Sequence, residues 1–229
     1  MIESLNSLDT SIFLFFNGIH STFFDRFMML FTDRFIWVPF YAFIAFAVVR
    51  SCGWRRGLFY LAAIGLAITL TDQTCASIIR PMAERMRPSN LMNPLSEFAR
   101  VVDDYRGGDF GFPSCHAANS FSLAVFITLL FPRWRVGALM FGWALLNSYS
   151  RLYLGVHYPG DLFIGSLIGV AFAFICWVPA RLIARRITPS STSLTAPIFS
   201  ITPRCPVSAF TLMLASMLTT VVYIILFSI

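Results

Sequence analysis

Residues 57–79, GLFYLAAIGLAITLTDQTCASII, are 23 consecutive residues of which only Asp72 carries a charge. A helix needs about 20 mainly apolar residues to cross the hydrocarbon core of a bilayer, which is about 30 Å thick. Lipid cannot hydrogen-bond the peptide groups of such a segment, so the segment must satisfy them itself, as a helix does. This stretch therefore predicts a transmembrane helix.

The whole chain has the composition of a membrane protein. It contains 229 residues, of which 57% are hydrophobic and 12% are charged, and its mean hydropathy is +0.73. A soluble domain is about half apolar and about a quarter charged. The composition therefore predicts an all-α, polytopic membrane bundle of about six transmembrane helices. The predicted spans are 35–50, 57–79, 116–132, 136–150, 161–178 and 206–229.

The chain also divides into a core and flanking parts. The first 34 residues are apolar, but polar residues between Asn17 and Arg26 interrupt them. This pattern favours a helix that lies in the membrane interface, with a short first span as the alternative. Residues 187–205 are rich in Ser, Thr and Pro, as linkers are. The predicted organisation is an N-terminal interfacial helical segment (1–34), a membrane core (35–186), a linker (187–205) and a C-terminal transmembrane helix (206–229).

Arginine supplies all 17 basic residues, and its distribution predicts the orientation. The loops on one predicted side carry Arg without any acid, whereas the region 80–115 on the other side mixes Arg with Asp and Glu. Cytoplasmic loops are enriched in basic residues, so the region 80–115 should face the outside. The net charge of +6 then reflects topology, and no nucleic-acid partner is expected. The five cysteines form no CxxC pair and predict neither a disulfide framework nor a metal site.

Three polar clusters interrupt the apolar pattern. Residues 80–89 end the second predicted span, residues 112–120 begin the third, and residues 150–161 lie between the fourth and fifth. Counting the spans places all three clusters at the same membrane face. The sequence therefore predicts that residues far apart along the chain meet in one site.

The arginines of these clusters predict an anion site. Arg80, Arg87 and Arg151 carry planar guanidinium groups, which bind phosphate oxygens through pairs of donors and keep their charge. The third span begins near Cys115, so its free N–H groups and positive dipole end would point to the same place. Ser114 would act there as the N-cap or as a further donor. A phosphate group is the ligand that fits this set best.

The histidines add chemistry to the anion site. His116 and His157 could divide a phosphoryl transfer, one acting as nucleophile and the other as acid. Asp161 follows His157 by four residues and would hold the proton on one ring nitrogen, which leaves the other nitrogen directed at phosphorus.

Other polar residues near the clusters have simpler interpretations. Arg85, Arg100 and Arg106 are expected to be solvated loop charges or contacts to lipid headgroups. Asp72 lies deep in the second span, where an unpaired carboxylate costs about 2.5–3.5 kcal/mol. It is therefore expected to be paired or hydrogen-bonded rather than catalytic.

The motifs R-x6-R-P at 80–88, PSCH at 113–116 and S-R-x5-H-x3-D at 150–161 resemble the three-part signature of the type 2 phosphatidic acid phosphatase family. Vanadium haloperoxidases share the site of this family. The resemblance covers about residues 57–178. It implies a six-helix membrane fold and phosphatase activity at the outer membrane face, with no metal or other cofactor required.

The resemblance also assigns roles to the motif residues. His157 becomes the nucleophile that forms a phosphohistidine, Asp161 its orienting carboxylate, and His116 the acid that protonates the leaving oxygen. The residues expected to hold the phosphate are Arg80, Arg87, Ser114, Cys115 and Arg151. The family usually has lysine in place of Arg80 and glycine in place of Cys115. The Cys115 thiol is expected to be a small filler, with a competing nucleophile as the alternative.

The predicted function is hydrolysis of a phosphorylated lipid in the bilayer. Undecaprenyl diphosphate and the phosphates of lipid A are the favoured substrates, and the resemblance to small bacterial proteins implies the inner membrane with the site facing the periplasm. One alternative is a phosphotransferase that passes the phosphoryl group to another lipid. A second is a non-enzymatic transporter of anions or lipids, which would not need two histidines followed by an aspartate. Haloperoxidase chemistry is disfavoured because those relatives are soluble.

Overall fold

The computed structural model describes residues 2–187 and 207–229. Within these ranges the protein consists of helices and loops, with one isolated β-bridge between Met86 and Phe110. The prediction of an all-helical membrane bundle is confirmed. The predicted linker, 187–205, lies outside the described residues except for Ile187, the last residue of a helix.

Within residues 2–187 the helices follow one another with short connections, apart from one long loop after residue 83. In chain order they are α1 (Ile2–Asn17), α2 (Thr22–Thr32), α3 (Val38–Cys52), α4 (Trp54–Gln73), α5 (Arg80–Ala83), α6 (Cys115–Leu130), α7 (Trp134–Tyr153), α8 (Pro159–Ile187) and α9 (Val207–Ser228). A π-helical segment, Thr74–Ile79, joins α4 to α5. This segment borders a cavity near the polar clusters. The cavity is lined by Asp72 before the segment, Ala76 within it and Arg80 after it. Single π-helical turns are frequent at functional sites.

Three helices of the described ranges are long and apolar enough to cross a membrane, namely Trp54–Ala83, Pro159–Arg186 and Ala209–Ser228. Helices α3 and α6 are apolar but shorter. Helix α7 has 20 residues, with polar side chains near its C-terminal end. The second and fifth predicted spans are longer in the structure than the sequence indicated. The second continues as helix into the first polar cluster, whereas the fifth extends mainly beyond its C-terminal end, to Arg186.

Helix α6 lies at the centre of the bundle and packs against α4, α7 and α8. Glycines allow the backbones of α6 and α8 to approach closely. A Cβ atom built on Gly169 would lie 2.1 Å from the carbonyl oxygen of Ala118, and one built on Gly165 would lie 2.4 Å from that of Ser114. Small residues four apart serve the same purpose in other membrane helices. This contact aligns the N-terminal ends of α6 and α8.

The N-terminal helices pack onto the core at the end where the site forms. Helix α1 contacts α7 and α8, and α2 contacts α7 and α9. Asn17, which interrupts the apolar pattern, is buried and bonds through its side chain to the carbonyl oxygens of Arg100 and Tyr153. Arg100 forms an ion pair with Asp25 of α2, so the prediction of a solvated loop charge is wrong for this residue. The interfacial placement of residues 1–34 stays a prediction.

Candidate active site

The three polar clusters meet at one end of the bundle. The backbone N–H of Ser114 donates to the carbonyl oxygen of Asp161 at 3.0 Å, and Arg80 donates to the carbonyl oxygen of Pro113 at 3.2 Å. A cavity of about 660 Å³ opens between them. The predicted site residues that line this cavity are Arg80, Arg87, Cys115, His116, Arg151 and His157. Ser114 and Asp161 are fully buried and do not line it.

Arg87 is held rigidly beside the cavity. Its Nε donates to the carbonyl oxygen of Gly108 at 2.7 Å, and one terminal nitrogen donates to that of Val156 at 2.9 Å. Burial first, and the nearby charges of Arg80 and Arg151 second, lower the pKa of Arg87 to about 10. Cations brought this close repel one another, and a bound anion would relieve the repulsion.

The other two arginines also face the cavity with part of their donor capacity unused. Arg151 donates to Thr32 at 2.9 Å and to the hydroxyl of Tyr105 at 3.0 Å, and Arg80 donates to the Cys115 sulfur at 2.9 Å. The Nε atoms of Arg80 and Arg151 are buried and have no hydrogen-bond partner among the residues that the structure describes. Thr32 and Tyr105 were not identified from the sequence, because neither belongs to a polar cluster.

His157 is buried and neutral. Its Nε2 atom lies 2.8 Å from a terminal nitrogen of Arg87, and since arginine only donates, Nε2 accepts this bond and carries no proton. The proton therefore lies on Nδ1, which is 3.4 Å from Asp161 Oδ2. Burial lowers the pKa of His157 well below 6.5, and the neighbouring arginines act in the same direction. The geometry presents an imidazole with an unprotonated nitrogen at the cavity.

Asp161 is fixed by more than the histidine. One carboxylate oxygen accepts the backbone N–H of Tyr158 at 3.0 Å, and the other accepts a terminal N–H of Arg85 at 2.8 Å. Arg85 also donates to Asp9 of α1 at 2.6 Å. The prediction that Arg85 is a solvated loop charge is therefore wrong. No local pattern in the sequence indicates this contact, because Asp9 lies 76 residues away from Arg85.

The start of α6 supplies the remaining predicted residues. Ser114 is the N-cap, and its hydroxyl accepts from the backbone N–H of Ala117 at 3.5 Å. The side chain of Ser114 thus caps the helix instead of lining the cavity. His116 lines the cavity, and its ring makes no hydrogen bond to any residue in the described ranges. Cys115 is half-buried beside Arg80.

Residues 56–182 match the family model of the PAP2 superfamily. The chain belongs to the PAP2 superfamily. Over 169 residues it is 52% identical to the lipid A 4'-phosphatase of Bacteroides thetaiotaomicron, and the match covers 74% of this chain and 75% of that protein. It is 30% identical to the lipid A 4'-phosphatase of Porphyromonas gingivalis, covering 74% of this chain and 71% of that protein. The undecaprenyl-diphosphatase of Sulfolobus acidocaldarius is 28% identical, with 65% of this chain and 66% of that protein covered.

Solved PAP2 structures share the fold. LpxE of Aquifex aeolicus superposes with a TM-score of 0.54 at 22% identity, covering 72% of this chain and 92% of that one. The PAP2-type phosphatidylglycerolphosphate phosphatase of Bacillus subtilis superposes with a TM-score of 0.58 at 21% identity, covering 81% of this chain and 89% of that one. The resemblance read from the three motifs is confirmed, as is the membrane-bound fold that it implies.

The cavity of this PAP2 protein has a charged end and an apolar end. Away from the arginines it continues between α3, α4, α6 and α7, where its lining includes Tyr41, Ile44, Leu61, Ile64, Leu123 and Trp143. Asp72 also lines the cavity and accepts a hydrogen bond of 2.9 Å from Asn119, as expected for a carboxylate in a membrane helix. A cavity of this kind fits an amphiphile that carries an anionic group at one end.

Within residues 2–187 and 207–229, no group of three or more His, Cys, Asp or Glu side chains could hold a metal ion. The charges that face the cavity's polar end come instead from arginine side chains. Arginine is well suited to phosphate because its planar fork matches two oxygens at once.

Proposed function

We propose that this PAP2 protein is a lipid phosphatase that works through a phosphohistidine at His157. The observation that carries the proposal is the unprotonated Nε2 of His157 beside Arg87, at the charged end of a cavity whose other end is apolar. A phosphate bound to the arginines would lie next to this nitrogen. The lipid part of the substrate would occupy the apolar end.

The first half of the reaction transfers the phosphoryl group to the enzyme. In the substrate complex His116 is the imidazolium, stabilised by the bound phosphate. Nε2 of His157 attacks phosphorus, the bond between phosphorus and the lipid oxygen breaks, and His116 gives that oxygen its proton. The imidazole becomes positively charged as the P–N bond forms. Asp161 stabilises this charge through the proton on Nδ1.

The second half returns the enzyme to its starting state. His116, now neutral, takes a proton from water, the oxygen of that water attacks phosphorus, and the P–N bond breaks to release inorganic phosphate. Arg80, Arg87 and Arg151 bind the phosphoryl oxygens throughout and offset the negative charge that develops on them. This scheme uses protein side chains alone, so we expect the reaction to continue in the presence of a chelator.

The substrate that the comparisons favour is lipid A, since two relatives of at least 30% identity are lipid A 4'-phosphatases. Undecaprenyl diphosphate is the second candidate, because other relatives act on that lipid. Since arginine-only loops are typical of the cytoplasmic side, we place the site at the outer face of the bacterial inner membrane.

Phosphate release by the purified protein in detergent tests this function. Lipid A and undecaprenyl diphosphate serve as substrates, each with and without EDTA, for the wild type and for His157→Ala. We expect release from lipid A that resists EDTA and is lost in His157→Ala. Activity that survives in His157→Ala would remove the mechanism, and loss in EDTA would remove its independence of metal. Transfer of labelled phosphate to an added lipid alcohol instead of water would identify a phosphotransferase.

A further inference from the structure

Asp9, in the first half of α1, is joined to the catalytic end of α8 by two routes. Through Arg85, its carboxylate connects to Asp161 by contacts of 2.6 Å and 2.8 Å. Its second oxygen accepts the backbone N–H of Gly160 at 2.7 Å. The two routes close a ring, because Gly160 precedes Asp161 in the chain. We call these contacts the Asp9–Arg85 clamp.

The clamp is largely enclosed. The side chains of Arg85, Asp9 and Asp161 are 26%, 13% and 0% exposed. The Arg85 guanidinium lies over the ring of Tyr158, 4.1 Å from its centre. A Cβ atom on Gly160 would lie 2.8 Å from a carboxylate oxygen of Asp9, so a side chain there would displace that carboxylate. Ion pairs that are partly removed from water and share a fixed geometry are worth more than ordinary surface pairs.

We propose that Asp9 and Arg85 are positioning residues that keep Asp161 ionised and directed at His157. Asp161 is fully buried, and an isolated carboxylate in such a place would be neutralised or would turn toward another partner. Arg85 supplies the positive charge that Asp161 needs. Asp9 holds Arg85 in place and restrains the first turn of α8, in which Asp161 lies.

The inference rests on the proposed function, because it needs His157 to become positively charged during the reaction. It adds a part of the chain that the family match does not include. The PAP2 model covers residues 56–182, whereas Asp9 belongs to a helix outside that range. Helix α1 would thus help to position the active-site residue Asp161, in addition to packing against α7 and α8.

Three substitutions of Asp9 separate its charge from its hydrogen bond. Asp9→Asn can still accept from the Gly160 N–H but loses the charge that holds Arg85, Asp9→Ala loses both, and Asp9→Glu keeps the charge on a longer side chain. Loss of an outer residue that orients a functional group costs about 10-fold to 100-fold in comparable sites. We expect kcat for lipid phosphate release to fall by about 10-fold in Asp9→Asn, with KM and Tm near the wild-type values. Asp9→Ala should lose at least as much, and Asp9→Glu should recover part of the loss.

Asp25→Asn is the matched control, because Asp25 also links an N-terminal helix to an arginine, Arg100, without contacting Asp161. We expect this variant to keep the wild-type kcat. A double variant provides the second test. If Asp9 acts through Asp161, Asp9→Asn should have little further effect on kcat in an Asp161→Asn background.

Two results would overturn the inference. One is a kcat for Asp9→Asn equal to that of Asp25→Asn, and the other is an Asp9→Asn loss that is as large in the Asp161→Asn background as in the wild type. Failure of the proposed function is a different result, since it appears as activity that survives in His157→Ala whatever Asp9 does.

Discussion

The backbone N–H of Ser114 donates a 3.0 Å hydrogen bond to the carbonyl oxygen of Asp161. This bond joins the second motif to the third through the main chain, at the point where α6 and α8 begin side by side. His116 and Asp161 are thereby fixed relative to each other by their helices, independently of their side chains. The close approach of α6 and α8 is therefore a condition for the site.

Gly169→Ala tests this condition. The new Cβ would lie 2.1 Å from the carbonyl oxygen of Ala118, a backbone atom that cannot move aside without separating the helices. We expect a loss of about 1–3 kcal/mol or more in stability, seen as a lower Tm of the protein in detergent. Gly142→Ala on α7 is the control, because no atom lies within 4 Å of its Cβ. Equal Tm values for the two variants would show that the approach of the helices is not tight.

Gly111→Ala is expected to damage the site more than the fold. Its Cβ would lie 3.1 Å from Arg87 Cγ, 3.2 Å from Asp161 Oδ2 and 3.4 Å from His157 Nδ1. Displacement of these groups by a few tenths of an ångström disturbs the hydrogen bond that fixes the histidine tautomer. We expect phosphate release to fall by about 10-fold or more while Tm changes little. Gly65→Ala is the control, because no atom lies within 4 Å of a Cβ built on Gly65, and it should keep full activity. A loss of activity in Gly65→Ala as large as that in Gly111→Ala would contradict the expectation.

The effect of His116→Ala on the rate of phosphate release should depend on the leaving group of the substrate. A lipid alkoxide needs a proton as it departs, so loss of the acid should slow its release by about 10²-fold to 10⁴-fold. p-Nitrophenolate departs without a proton, so p-nitrophenyl phosphate should be affected much less. His157→Ala should lose activity on both substrates. The assignment of His116 as the acid fails if His116→Ala slows both substrates equally.

Phosphate or vanadate should stabilise the protein, because the arginines at the cavity repel one another without an anion. A ligand at 100 times its Kd adds about 2.7 kcal/mol to stability. We expect a rise in Tm with phosphate at constant ionic strength, and a smaller rise in Arg80→Gln. Chloride at the same ionic strength is the control. An equal rise with chloride would mean that the site does not select phosphate.

The buried His157 should make stability sensitive to acid. Burial first, and the nearby arginines second, lower the pKa of His157 below 6.5 in the folded protein. Below pH 6.5 the unfolded chain therefore binds a proton that the folded protein excludes, so stability falls as the pH falls. We expect Tm to fall less steeply below pH 6.5 in His157→Gln than in the wild type, with about 1.4 kcal/mol for each unit of pKa difference. Parallel slopes would contradict this.

Much of the site could be predicted from the sequence, because the patterns that indicate it lie within short stretches of the chain. Apolar runs such as 57–79 identify membrane helices, and counting them places the ends of alternate helices on one face. The spacing of four residues between His157 and Asp161 then predicts that their side chains lie close together. The helix ends were less predictable, because polar residues such as Ser150 and Arg151 continue α7 once neighbouring helices bury them.

The sequence by itself determined the helical membrane bundle, the family and the gathering of Arg80, His116 and His157 at one end of it. Only the tertiary structure decided which charges pair. From the sequence, Arg85 was expected to be a solvated loop charge. In the structure α1 packs against α8, and this packing places Asp9 beside Arg85. The physical reason is the distance along the chain over which each property is determined. A membrane-spanning helix is recognisable from about 20 consecutive residues. An ion pair between residues 76 positions apart depends instead on how separate helices pack.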